Sequence, residues 1–248
     1  MAQPLTQPRP TPPSLHPVPT EAGQAPGYEW VALSVTTVGA LLASIQGSSL
    51  VIALPDVLTG LGASFLTIMW VLLGYLLITT ALVPVVGRLA DMVGRKRLYV
   101  AGFAVFTLAS LLSGLAQPQF HGWDLVAYRV LQGVGGALLI TNSTAIVADA
   151  FRHGRVGLGL GVNQVAGAAG FLLGPVVGGL LTAISWRWVF LVNVPLGVFG
   201  TLWGIWRLRE PVRLPAHQRF DWLGSLTFVL GLGSLLLAVS LVASTREP

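Results

Sequence analysis

The chain has 248 residues, of which 54% are apolar and only 9% charged, with fourteen bases, nine acids and no cysteine. A water-soluble domain carries about 25% charge, so this composition excludes an ordinary soluble enzyme, and a mean hydropathy of +0.76 excludes disorder for most of the chain. The absence of cysteine from the sequence excludes disulfides, thiolate catalysis and cysteine-based metal centres.

Residues 1–29 hold eight of the sixteen prolines and one base, Arg9. This stretch is expected to be an extended, disordered tail. It lacks the basic start and short apolar core of a secretory signal. From Trp30 onward, apolar segments fall at 30–54, 63–86, 98–116, 123–148, 156–183, 188–206 and 222–243. Each is long enough to cross a hydrocarbon core of ~30 Å as a helix. Short connections between them predict an all-α integral membrane bundle; a barrel would need strands of alternating polarity.

The bases set the orientation. With the N-terminus in the cytoplasm, the inner segments hold Arg9; Arg88, Arg95, Lys96 and Arg97; Arg152 and Arg155; and Arg207, Arg209, Arg213 and Arg219. The outer segments hold only Arg187 and Arg246. This asymmetry predicts a multi-pass protein of the cell (cytoplasmic) membrane with a cytoplasmic N-terminus. It also explains the basic pI without nucleic acid as a partner, because the charge is spread over loops. Trp30, Trp123, Trp186, Trp188, Trp206 and Trp222 fall at span ends, where aromatic anchors belong, while Trp70 lies inside the second span.

An ionisable residue at bilayer depth is a functional candidate, because its burial costs at least ~2.5 kcal/mol. Arg129, early in the fourth span, is one. The nine acids lie in the tail, in loops or at span ends, and His16, His121, His153 and His217 lie outside the spans. No metal or haem site, no other cofactor and no enzymatic activity are therefore expected.

Three motifs carry more information. After the second span the chain reads Gly87-Arg88-Leu89-Ala90-Asp91-Met92-Val93-Gly94-Arg95-Lys96-Arg97. Gly87 and Gly94 permit a tight turn and close helix approach. Asp91 suits a helix N-terminus, and Arg95 can hold it through a charge-assisted bond. The fourth span contains Arg129-Val130-Leu131-Gln132-Gly133-Val134-Gly135-Gly136, and no strand precedes these glycines, so they are not a nucleotide-binding loop. In the fifth span Gly170, Gly174 and Gly178 recur every four residues and form a groove for a partner helix; Pro175 bends the helix, and Gly179 completes a glycine pair.

These motifs resemble those of the major facilitator superfamily: its G-x-L-A-D-x-x-G-R-K/R loop, its R-x-x-Q-G-x-G motif and its G-x-x-x-G-P-x-x-G-G antiporter motif. Trp186-Arg187-Trp188-Val189-Phe190-Leu191-Val192-Asn193-Val194-Pro195 and Phe220-Asp221-Trp222-Leu223-Gly224 are similar to the sixth-helix entry and seventh-helix start of the 14-helix multidrug:proton antiporters. The resemblance implies a six-helix N-terminal half, made of two inverted three-helix repeats, over 30–206. A basic cytoplasmic loop over 207–220 and a seventh, linker helix over 221–248 would follow. It implies efflux of small hydrophobic or amphipathic compounds by alternating access. Gly87, Asp91, Gly94, Arg95, Lys96 and Arg97 would gate the cytoplasmic side. Gln46, Arg129, Gln132, Asn142, Asn163 and Gln164 would line or brace the path, although amides between membrane helices are as often glue.

Two departures matter. The branch usually places an aspartate in its first helix, where this chain has Gln46, which cannot carry a proton. That favours an alternative, a uniporter or an exporter not coupled to protons, with protons retained as a candidate partner. Such transporters also have about twice as many spans. The expectation is a partial chain, completed by a second half in a longer chain, a partner chain or a second copy; a non-transporting membrane fragment or scaffold is the other reading. Lipid bilayer and a small-molecule substrate are the remaining expected partners.

Overall fold

A computed structural model of the chain describes residues 27–151 and 155–210, with short stretches at 18–19, 212–213, 223–224, 227–228, 231 and 233–234. In hydrocarbon the backbone must satisfy its own hydrogen bonds, which leaves the helix as the spanning element for apolar runs of this kind. The helices are α1 (Tyr28–Leu61), α2 (Phe65–Val93), α3 (Arg95–Gly114), α4 (Trp123–Ala150), α5 (Val156–Thr182), α6 (Trp188–Leu191) and α7 (Asn193–Arg207). With α6 and α7 counted as one span, Trp188–Arg207, six segments among the described residues are long and apolar enough to cross a membrane. The protein is an all-α membrane bundle.

The packing has an internal symmetry. α1 lies along α5 and α4 along α2; α3 packs on α4, and α7 on α1; α1 meets α4, and α3 meets α7. Exchanging α1–α3 with α4–α7 maps this set of pairs onto itself, the pattern of two three-helix repeats. One apolar core gathers Val35, Leu42, Tyr99, Phe103, Phe106 and Phe151. A second, toward the other end, gathers Val57, Leu61, Leu125, Trp186 and Phe190.

Three boundaries differ from expectation. The first helix runs on to Leu61 instead of ending at 54, with Pro55 inside it. Proline removes one backbone donor but does not stop this helix, which closes at Gly62 in the left-handed region (φ 57°). The second helix continues to Val93, so most of the expected loop after 86 is helical, and Gly94 alone joins α2 to α3. The basic residues mark the edge of the apolar run, not the end of the helix. The sixth span is broken at Val192, ahead of Pro195. There the Asn193 side-chain amide donates to the carbonyls of Val189 (3.0 Å) and Phe190 (3.3 Å).

Val18–Pro19 of the Pro-rich tail pairs antiparallel with Val212–Arg213. The rest of the tail up to Pro26, most of the 207–220 loop after Glu210, and most of the expected seventh span at 222–243 lie outside the described residues.

Candidate functional site

The Gly87–Arg97 motif contributes to a charged knot at one end of the bundle. Gly94 adopts φ 108°, a conformation that side chains rarely take. A Cβ there would also fall 2.7 Å from Glu210 Oε2. The turn brings Arg95 to the first position of α3, facing back toward α2. Its Nη2 meets Asp91 Oδ1 at 3.1 Å, and its Nη1 donates to Asp149 near the end of α4 and to the Ala145 carbonyl at 3.3 Å. Arg95 thus ties α2, α3 and α4 together with charge-assisted bonds. Glu210, beyond α7, accepts from the Arg95 backbone N–H at 2.9 Å, capping the N-terminus of α3. Burial pushes the Glu210 carboxyl above its ordinary range, against the opposing effect of the Arg95 and Lys96 backbone donors. Lys96 Nζ reaches the Ile205 carbonyl at 3.1 Å. Gly87 is in ordinary contact with Thr141, 3.5 Å from where its Cβ would sit, and Arg97 is exposed.

Asp149 and Glu210 are the members of this knot that sequence reasoning missed. They lie 54 and 115 residues from Arg95, and no local spacing points to them.

The fifth-helix glycines form a seam against α1. A Cβ at Gly170 would lie 3.1 Å from the Leu41 carbonyl oxygen, one at Gly174 3.0 Å from that of Ile45, and one at Gly178 2.6 Å from that of Ser49. The groove therefore holds backbone against backbone within this bundle. Pro175 is exposed, and nothing lies within 4 Å of where a Gly179 side chain would begin.

The path candidates divide by burial. Arg129 is 1% exposed; its Nε donates to the Val71 carbonyl at 3.1 Å, its Nη1 donates to Gln132, and its guanidinium lies over the Tyr75 ring, 4.2 Å from the centroid. Gln132 donates onward to Ser110 Oγ at 2.6 Å. This chain pins α4 to α2 and α3. Gln46, 0% exposed, accepts from Asn193 Nδ2 and joins α1 to α7 at the break in the sixth span. Asn142 donates to the Leu138 carbonyl at 2.7 Å, and Asn163 to Ser143 Oγ at 3.0 Å. All five are buried inside the bundle, whereas Gln164 is exposed on α5. A buried polar side chain between membrane helices is held by its hydrogen bonds; an exposed one on an apolar helix needs another environment to face. Among the described residues, no group of three or more His, Cys, Asp or Glu is arranged to hold a metal ion.

Comparison with known proteins bears on this arrangement. The family model described as Major Facilitator Superfamily matches residues 36–245. The chain is 32% identical over 219 residues to the riboflavin transporter RibZ of Clostridioides difficile (strain 630), covering 88% of this chain and 47% of that protein. It is 32% identical over 210 residues to multidrug resistance protein 3 of Bacillus subtilis (strain 168), covering 84% and 40%. It is 34% identical over 224 residues to the probable actinorhodin transporter of Streptomyces coelicolor, covering 88% and 38%. The chain spans less than half the length of these curated relatives.

Proposed function

The chain belongs to the Major Facilitator Superfamily, and on that premise we propose that it forms the N-terminal half of an exporter of small hydrophobic or amphipathic compounds. It works by alternating access, in the cell membrane with a cytoplasmic N-terminus, and a second half completes the path. The observation that carries this reading is the Arg95 knot, which ties the α2–α3 joint to the end of α4 and to Glu210 beyond α7. A knot made of exchangeable ion pairs at one end of a bundle can break and re-form as that end opens. The drug and antibiotic names among the relatives support the substrate class, and the α1–α5 seam supports the exporter branch.

Roles follow from position. Gln164 faces the path. Arg129 and Gln132 brace it from within, Gln46 and Asn163 hold helices together, and Asn142 bonds within its own helix. A second reading, an exporter not driven by protons, is favoured by one observation: Gln46, which has no titratable proton, is buried and accepts through its Oε1 from Asn193.

The test is efflux of a fluorescent amphipathic compound from cells carrying the chain joined to its second half, with and without an imposed pH gradient. Export is expected, and Asp91→Asn should slow it at least tenfold at unchanged membrane abundance. Export that responds to the gradient selects the antiporter; export indifferent to it selects the second reading. No export of any compound, or full activity in Asp91→Asn, contradicts the proposal.

A further inference from the structure

The α3–α7 seam ends in a surface beside the Arg95 knot. Along the seam, Gly197, Gly200 and Gly204 of α7 receive Thr107, Phe103 and Val100 of α3; a Cβ at Gly204 would lie 3.1 Å from Val100 Cγ2. One turn further on, Lys96 crosses the seam and donates to the Ile205 carbonyl at 3.1 Å. That bond uses one of its three donors and fixes the ammonium at the end of α7. Arg97 beside it is exposed, as are Arg207 and Arg209. Arg207 is held over the Trp203 ring, 5.3 Å from the centroid, and Trp203 stacks on Phe199. Glu210 lies beside these cations, and its carboxylate accepts from the Arg95 and Lys96 backbone N–H groups.

Directly flanking this charge lies apolar surface: Trp206 is 72% exposed and Ile205 46%. An exposed indole next to clustered cations, at the end of a membrane-length helix, matches the boundary between headgroups and acyl chains. A soluble anion would find the charge but would have no use for the indole and isoleucine. An anionic lipid matches both.

We propose that the end of the α3–α7 seam binds the phosphodiester headgroup of an anionic phospholipid, with Lys96, Arg97 and Arg207 around the phosphate and Trp206 against the upper acyl chain. The guanidinium of Arg207, pre-oriented by Trp203, offers paired donors to phosphate oxygens. The site is independent of what the protein transports.

The test uses the purified full chain in neutral detergent, with retention of phosphatidylglycerol and phosphatidylcholine of equal chain length measured by native mass spectrometry. The intact protein is expected to prefer phosphatidylglycerol by tenfold or more. Arg97→Gln/Arg207→Gln should reduce that affinity about 25-fold, at about fivefold per cation, while Arg97→Lys/Arg207→Lys retains most of it. Arg88→Gln/Arg155→Gln removes the same charge from α2 and from the start of α5, neither of which packs on α7, and should change little. Trp206→Ala, with charge intact, should weaken retention severalfold, which keeps the proposal testable if the arginine variant folds poorly. Equal retention of the two lipids overturns the proposal. So does an equal loss in the two Gln variants, or displacement of the lipid by millimolar inorganic phosphate.

Discussion

Adding one methyl group to Gly178 or to its neighbour Gly179 should have opposite effects. At Gly178 the new Cβ would sit 2.6 Å from the Ser49 carbonyl oxygen and 2.9 Å from Ser49 Cα, both backbone atoms of α1. No rotamer relieves that contact, so α5 must retreat by roughly 0.8 Å to reach an ordinary packing distance. Overpacking of this kind costs ~1–3 kcal/mol, offset in part by the ~1 kcal/mol that alanine gains over glycine within a helix. The net loss is about 0–2 kcal/mol. At about 2–4 °C per kcal/mol for a chain of this size, Gly178→Ala should melt lower by up to about 8 °C. At Gly179 nothing lies within 4 Å of the new atom, so Gly179→Ala should be neutral or raise the midpoint by a few degrees. Both variants are to be melted in the same detergent, with tryptophan fluorescence as the probe. Equal shifts, or a larger loss at Gly179, would refute the view that the glycine period serves the α1–α5 seam.

Asp149→Asn removes one of the two carboxylates that hold Arg95; with side chains 18% and 20% exposed, the pair should be worth about 1–3 kcal/mol, between exposed and buried ion pairs, read as a lower melting midpoint and slower export. Gln46→Asp places a carboxylate in a fully buried amide pair; thermal melting should show a loss of at least ~2 kcal/mol, and efflux under a pH gradient should show no new proton-driven cation export. Glu210 has a folded-state pKa raised above its ordinary 4.5 by burial; its contribution to stability is therefore present below about 4.5 and lost as pH rises through the raised value. The melting midpoint should fall over that window in the intact protein, and Glu210→Gln should flatten the fall.

Much of this architecture was legible in the sequence. Six spans follow from apolar length alone, and the glycine period of the fifth span pointed to a helix seam, although it did not identify α1 as the partner. Helix ends were less legible. Pro55 and the bases after residue 87 read as stops because they leave the hydrocarbon pattern, yet the helical backbone tolerates both. Which face a polar residue occupies was not legible at all. In a soluble helix, polarity marks the outward face, but here lipid and core are equally apolar, so periodicity does not separate Gln46 and Arg129, which are buried, from Gln164, which is exposed. Asn193, which meets Gln46, and Tyr75 and the Val71 carbonyl, which meet Arg129, come from other helices. Their spacing in the chain carries no signal.

In the proposed function this chain forms one wall of a substrate path, and Gln164 faces it. This sequence has no cysteine, so once any cysteine of the second half is replaced, single-cysteine labelling has no background. In the chain joined to its second half, Gln164→Cys should react with a membrane-impermeant maleimide, substrate should slow that reaction severalfold, and Gln46→Cys should stay unreactive. A Gln164→Cys protein that resists the reagent from both sides of the membrane, or that reacts equally fast with and without substrate, would contradict it.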